Sequence, residues 1–213
     1  MTYCQQMMAI QDQDPSQAID FIKGLLQPNV DARVFEIVSY AILKQFYSDQ
    51  QIYWGWSPDE LTAEYLILYK TGRTNANDGG IDFVMKPLGR FFQVTETIDA
   101  GKYFLDIDKV QRYPITFVVK TEQKVSDVLE KVERQANDRY KVKAIVKRYM
   151  ESVEEVINIP ELMSRLDVVL NNDRGKEIIE EIVLQSRVEF NVEDEEQDIL
   201  VFDDAQNVDE EEE

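Results

Sequence analysis

Histidine occurs nowhere in the 213 residues. Its absence excludes Ser-His-Asp and Cys-His nucleophile sites, His-ligated zinc and any hydrolysis that relies on a His general base. Chemistry in this chain must run on carboxylates, amides, Lys or Tyr, with a metal ion as the natural activator of water. Cysteine is almost absent as well. Cys4 stands alone, so no disulfide framework forms within the chain, and a reducing cytoplasm is the expected setting. There is no charged-then-apolar leader and no apolar run approaching the ~18 residues of a membrane span, so neither a signal peptide nor contact with a membrane is expected.

Positive charge is scarce: 23 Lys and Arg face 42 Asp and Glu, for a formal net charge of −19. Phosphate binding leans on cations, so this balance by itself disfavours nucleic acid. The distribution changes that reading. Thirteen of the acids lie in Glu189–Glu213, which holds no base, and the rest of the chain carries only −6. Within it, Lys131–Arg148 includes Lys141 and Lys143 and reaches a local +5. Such a segment can grip phosphates on an acidic protein, and it can equally be an ordinary solvated face.

With 44% hydrophobic residues the chain can bury one substantial core. Residues 1–13 are polar and Met-rich and are expected to lack order. An α/β core is expected over residues 14–125, a helical segment over 126–190, and an acidic, disordered tail over 191–213. Asp14-Pro15 starts a first helix and Asp31 caps a second from Ala32 to Tyr47, where Phe35, Val38, Ile42 and Phe46 recur at three- and four-residue steps. Glu36 borders that apolar stripe. Gln50–Trp56 is short and aromatic, as a strand would be. Ser57-Pro58-Asp59-Glu60 combines a Ser cap, a first-position Pro and a third-position Glu, which predicts a helix carrying Glu64 and stopping near Gly72. Ile98–Gln111 is ambiguous, with a short helix as one reading, and Ile115–Lys120 alternates as a strand. From Ser126 to Phe190 three helices are expected, with breaks near Pro160 and Asn172. The stripe Ile178, Ile179, Ile182 and Val183 suits this core or a second subunit equally.

One stretch looks like chemistry. In Asn75–Glu96, apolar residues alternate on two arms, Ile81, Phe83 and Met85 on the first and Phe92 and Val94 on the second, which predicts a hairpin after a Gly-rich turn. A two-residue loop at Leu88-Gly89 would pair residue 84 with 93 and 82 with 95. Asp82, Gln93 and Thr95 would then share the face opposite the buried one, where oxygen ligands suit a hard divalent cation. A polar outer face of a plain hairpin is the alternative, and a one-residue slip would scatter the three side chains. The glycine loop is neither a P-loop nor an EF-hand, because the required Lys-Ser/Thr and twelfth-position Glu are missing.

Gly79-Gly80-Ile81-Asp82, a turn, and Gln93-Val94-Thr95 resemble the PD-(D/E)xK nuclease superfamily. The longer run from Lys70 through Thr95 is similar to type II restriction endonucleases of the ApaLI-like kind. The resemblance covers about residues 30–120 and implies a restriction-endonuclease-like α/β core: a helix, then a central mixed sheet whose hairpin carries the site. It further implies Mg²⁺ held by Asp82, Gln93 and Glu36, with Glu64 in reserve, double-stranded DNA as substrate and a homodimer on a palindromic target. Arg73, Asn75, Asn77, Lys86, Arg90, Lys141 and Lys143 are the candidate DNA contacts, although residues such as Asn75 and Asn77 also simply close turns. One departure matters: Thr95 stands where the superfamily places Lys. Lys86 shares the predicted face but lies ~13 Å along the strand; Lys70 and Lys102 are the other candidates to replace that charge. A DNA-binding or assembly subunit without catalysis, and an acidic protein-interaction module, are the competing readings.

Overall fold

The computed structural model describes residues 15–72 and 80–190. In chain order the elements are α1 (Pro15–Gly24), α2 (Ala32–Tyr47), β1 (Gln51–Trp54), β2 (Thr62–Tyr65), β3 (Ile67–Lys70), β4 (Phe83–Lys86), β5 (Arg90–Thr95), α3 (Ala100–Lys109), β6 (Ile115–Val119), α4 (Val125–Arg139), α5 (Lys143–Met150), β7 (Val153–Ile157), α6 (Ile159–Asn171) and α7 (Gly175–Phe190). A mixed sheet runs in the order β3-β4-β5-β6-β7. Its first three strands form an antiparallel meander, and β6 and β7 continue parallel to β5. Helices cover both faces, so the architecture is α/β with β6 buried along its whole length.

Two cores result. On one face α1, α2, α6 and α7 pack on Phe83, Met85, Phe92 and Val118. On the other, α3, α4 and α5 pack on Ile115, Phe117, Val119 and Val156. Helix α2 starts where Asp31 accepts the Arg33 N–H at 2.9 Å. The apolar stripe expected on α2 turns out to be nearly a full circumference, because every residue from Val34 to Leu43 is buried. The sheet lies on one side of it and α6 and α7 on the others, which is the situation that demands a helix apolar all round. Phe35, Ile37, Ile42 and Leu43 each contribute ~1.5–3 kcal/mol by that burial. Glu36 therefore sits inside the protein rather than at a boundary. Ile178, Ile182 and Val183 pack in this same core, so the C-terminal stripe serves its own chain.

Three expectations need correction. The helix predicted after Ser57 is two strands. Ser57–Glu60 is a turn, closed by the Glu60 N–H on the Ser57 carbonyl at 3.1 Å, and the cap-like residues there are equally turn-forming. Beyond it Leu66 and Leu68 are buried while Ile67 and Tyr69 are exposed, a period of two. Within the supposedly helical segment, Val153–Ile157 is a strand that completes the sheet, its β-branched residues outweighing Glu154 and Glu155. The hairpin loop is four residues long, since Met85 pairs with Arg90 and Phe83 with Phe92. Gly89, at φ +67°, returns its N–H to the Met85 carbonyl at 2.9 Å, a conformation that favours glycine. The register thus differs from the expected one by two residues, and a shift of two leaves every side chain on its face. Only Ile81 departs: the chain bends at Asp82, and Ile81 packs on the core opposite the one that holds Phe83.

Strands β1 and β2 form a separate ribbon whose side chains are almost all exposed, Tyr53, Trp54 and Tyr65 among them, with Trp56 beside it 93% exposed. Among the described residues no helix is long and apolar enough to cross a membrane.

Candidate active site

Asp82 occupies the bend immediately before β4. Its carbonyl accepts the Thr71 N–H at 3.0 Å, and its Oδ2 accepts the Val94 N–H at 2.6 Å, which ties the carboxylate across the hairpin. It directly precedes Phe83, whose partner Phe92 is the neighbour of Gln93. Burial pushes the Asp82 carboxyl from its ordinary 3.8 up to about 7, and the charges of Glu36 and Asp106 push the same way. The Val94 N–H and the Lys70 ammonium oppose the rise without overcoming it. Glu36 belongs to the helix on one face of the sheet and Asp106 to a helix on the other, so Asp82 stands at the seam between the two layers.

Glu36 is only 6% exposed, and its Oε1 lies 3.2 Å from Lys70 Nζ. Lys70 pairs across the sheet with Phe83, the neighbour of Asp82, and reaches Glu189 Oε2 of α7 at 3.9 Å. Of the three lysines left open by the sequence, this one is brought to the acids. Lys86 lies over the Tyr69 ring at 5.1 Å and is exposed, and Lys102 is exposed on the first turn of α3.

Gln93 Oε1 is buried and has no hydrogen-bond partner among the described residues, and the same holds for Tyr103 Oη. Both lie around Phe117, which pairs with Gln93 in the β5–β6 register and stacks on the Tyr103 ring at 4.0 Å and 17°. Burial and the Asp106 charge both push the Tyr103 hydroxyl upward. Asp106 follows Tyr103 by three residues on α3 and pairs with Lys109 at 2.7 Å. Neither Tyr103 nor Asp106 was legible as a site residue, because Ile98–Gln111 gave no settled helical frame. The stripe Tyr103, Phe104 and Ile107, capped by Asp99, is the signal that fixes it.

Other expected site residues lie elsewhere. Thr95 Oγ1 accepts the Thr97 N–H at 3.2 Å and contacts the Thr97 carbonyl, so its hydroxyl closes a local turn. Glu64 is fully on the exposed ribbon and drops out as a ligand, because its helix is a strand. Arg90 is held at the far end of β5 by Thr116, Glu154 and Glu155 and is not offered to DNA. Lys141 and Lys143 line a cleft of ≈ 630 Å³ with Lys147, Glu133, Asn137 and Tyr140. Arg73, Asn75 and Asn77 lie outside the described residues, as do residues 1–14 and the acidic tail.

Among the described residues no three His, Cys, Asp or Glu side chains form a ready metal cage. What the site offers is two carboxylates, Asp82 and Glu36, and the unpartnered amide oxygen of Gln93. Each would offer oxygen, the ligand type that hard cations take, and the Glu36 carboxylate is paired with Lys70 Nζ. No family model matches the chain, no curated protein is similar to it, and no solved structure matches it.

Proposed function

We propose that this protein is a metal-dependent nuclease that hydrolyses phosphodiester bonds of double-stranded DNA at a specific site, on a scaffold of the PD-(D/E)xK type used by type II restriction enzymes. The observation that carries the reading is the meeting of Asp82, Glu36 and Lys70 at the end of the hairpin, where the Asp82 carboxylate accepts the Val94 N–H. A helix followed by a mixed sheet with a hairpin at the site is what the resemblance implies, and the α/β architecture supports the reading.

Asp82, Glu36 and Gln93 would hold Mg²⁺. The bound ion would neutralise charge on the scissile phosphate and acidify a coordinated water. Lys70 supplies the positive charge missing at Thr95: pinned by Glu36, its ammonium can hydrogen-bond a phosphate oxygen or orient the attacking water. Lys141 and Lys143 contact the DNA backbone at a distance from the chemistry, and a two-fold dimer suits a palindromic target.

Thr95 in place of Lys favours a second reading, a subunit that binds DNA without cutting it. Incubation of mixed duplex DNA with Mg²⁺ separates the two. Discrete fragments are expected, with losses of about 10²–10⁴-fold in Asp82→Asn and Lys70→Met at unchanged circular dichroism, and little change in Thr95→Ala. Salt-sensitive DNA binding with no cutting under Mg²⁺ or Mn²⁺ would establish the second reading instead. Absence of any DNA binding would leave an acidic interaction module.

A further inference from the structure

The β1–β2 ribbon lacks what strands ordinarily have around them. Among the described residues β1 pairs only with β2, and an isolated two-stranded hairpin is at best marginally stable in water. Gln51 lies opposite Tyr65 and Tyr53 opposite Ala63, while the Leu66 N–H bonds the Gln50 carbonyl at 2.9 Å. Hydrogen-bonded pairs alternate along an antiparallel ladder, so the next ones are Ile52 with Glu64 and Trp54 with Thr62. Gln51 and Tyr53 therefore turn their N–H and C=O groups to the outer edge of β1. Proteins guard such an edge with Lys, Pro or a bulge, and Gln51–Trp54 has none of these. Its side chains are as open as its backbone: Tyr53 is 69% exposed, Trp54 40%, and Trp56 just beyond the strand 93%.

We propose that the outer edge of β1 pairs antiparallel with the same edge of a second copy of the chain, joining two ribbons into one four-stranded sheet about a two-fold axis at Ile52. In that register Gln51 exchanges both backbone bonds with the partner's Tyr53, and Tyr53 does the same with the partner's Gln51, so the edge complements itself. Charge selects the occupant. Residues 49–69 hold Asp49, Asp59, Glu60 and Glu64 and no Lys or Arg, so the ribbon repels phosphate and DNA is not what covers it. Charge also selects the edge. Strand β1 is uncharged, whereas pairing through β2 would set two copies of Glu64 on adjacent strands; through β1 those strands stand three spacings apart, ~14 Å. Area agrees as well: at ~150–250 Å² per buried aromatic, the exposed parts of Tyr53, Trp54 and Trp56 supply roughly 300–500 Å² per protomer, a large share of the ~800 Å² a stable interface takes from each partner. The contact stands whether or not the chain cuts DNA.

The test is sedimentation velocity of the full chain, without DNA or metal, over ~1–100 μM, where an interface of this size dissociates. The wild type should pass from monomer to dimer across that range. Tyr53→Pro removes an outward N–H that has no partner in the monomer, and Tyr53→Lys supplies the missing guard; each should raise the dissociation constant about tenfold or more at unchanged circular dichroism. Tyr65→Lys, on the same face but on β2, should leave it within about threefold. Amide hydrogen exchange reads the edge without any substitution: the Gln51 and Tyr53 N–H groups should slow as protein concentration rises, in step with the dimer fraction. A wild type that stays monomeric throughout overturns the interface. So does a dimer that both Tyr53 variants leave intact, or one that Tyr65→Lys dissolves instead. Slowing of those amides only on adding duplex DNA, or only with a Lys-rich peptide, would give the ribbon to that occupant and overturn the self-pairing.

Discussion

Strand β5 carries a group of partly or wholly buried charges at each end, and the two are built on opposite principles. At the Arg90 end, Arg90 binds Glu155 at 2.6 Å and Glu154 at 3.2 Å, and donates to Thr116 at 2.7 Å. Arg165 also pairs with Glu155, and its guanidinium lies over the Phe46 and Tyr47 rings. Two guanidiniums meet two carboxylates there, and the account closes. At the other end Lys70 pairs with Glu36 at 3.2 Å and reaches Glu189 at 3.9 Å, the buried Asp82 carboxyl feels Glu36, Asp106 and Lys70, and Gln93 Oε1 and Tyr103 Oη are buried without a hydrogen-bond partner among the described residues. A charge group that is complete in itself is a cross-tie between strands. The other holds a carboxyl that burial keeps protonated up to about 7, the kind of perturbed group that marks a candidate site.

The contrast can be broken first at the closed end. Glu155→Ala strands Arg165, which is only 11% exposed, and should cost about 3 kcal/mol, lowering Tm by roughly 6–12 °C in thermal denaturation. A drop below ~1 kcal/mol would deny that this network holds β7 and α6 to the sheet.

The open end should respond in the opposite sense to pH. Asp82 keeps its proton in the folded state up to about 7, whereas the unfolded chain loses it near the ordinary 3.8. Between those values the folded state binds more protons, so metal-free stability contributed by this group falls as pH rises and levels off above about 7. Tm measured against pH for the wild type and Asp82→Asn should show a shallower decline in the variant over that window, and saturating Mg²⁺ should offset the wild-type loss. Parallel curves would remove Asp82 from the argument. The smallest effect is expected at Glu64→Gln, within ~0.5 kcal/mol in stability and without change in Mn²⁺ affinity, since that side chain is exposed on the ribbon.

How far the sequence carried these conclusions depended on range. Local signals held: the Asp31 cap, the apolar run of α2, and the break at Asn158, which caps α6 through Oδ1 on the Glu161 N–H at 2.9 Å. The hairpin faces survived a wrong loop length because the error was two residues, and parity protects faces against even shifts. Strand β7 was hidden because its acids suit a helix surface until Arg90 and Arg165 arrive from distant parts of the chain. Lys70 was only one of three candidates because its selection comes from a helix 34 residues earlier, through Glu36. Turn and helix-cap chemistry share their residues, which is why Ser57-Pro58-Asp59-Glu60 misled.

Both tryptophans of the chain, Trp54 and Trp56, belong to the β1–β2 ribbon and its tip, 40% and 93% exposed. Intrinsic indole fluorescence therefore watches this ribbon while the two cores stay dark. A blue shift on adding DNA, or on raising the protein concentration, would date the moment another surface closes over it.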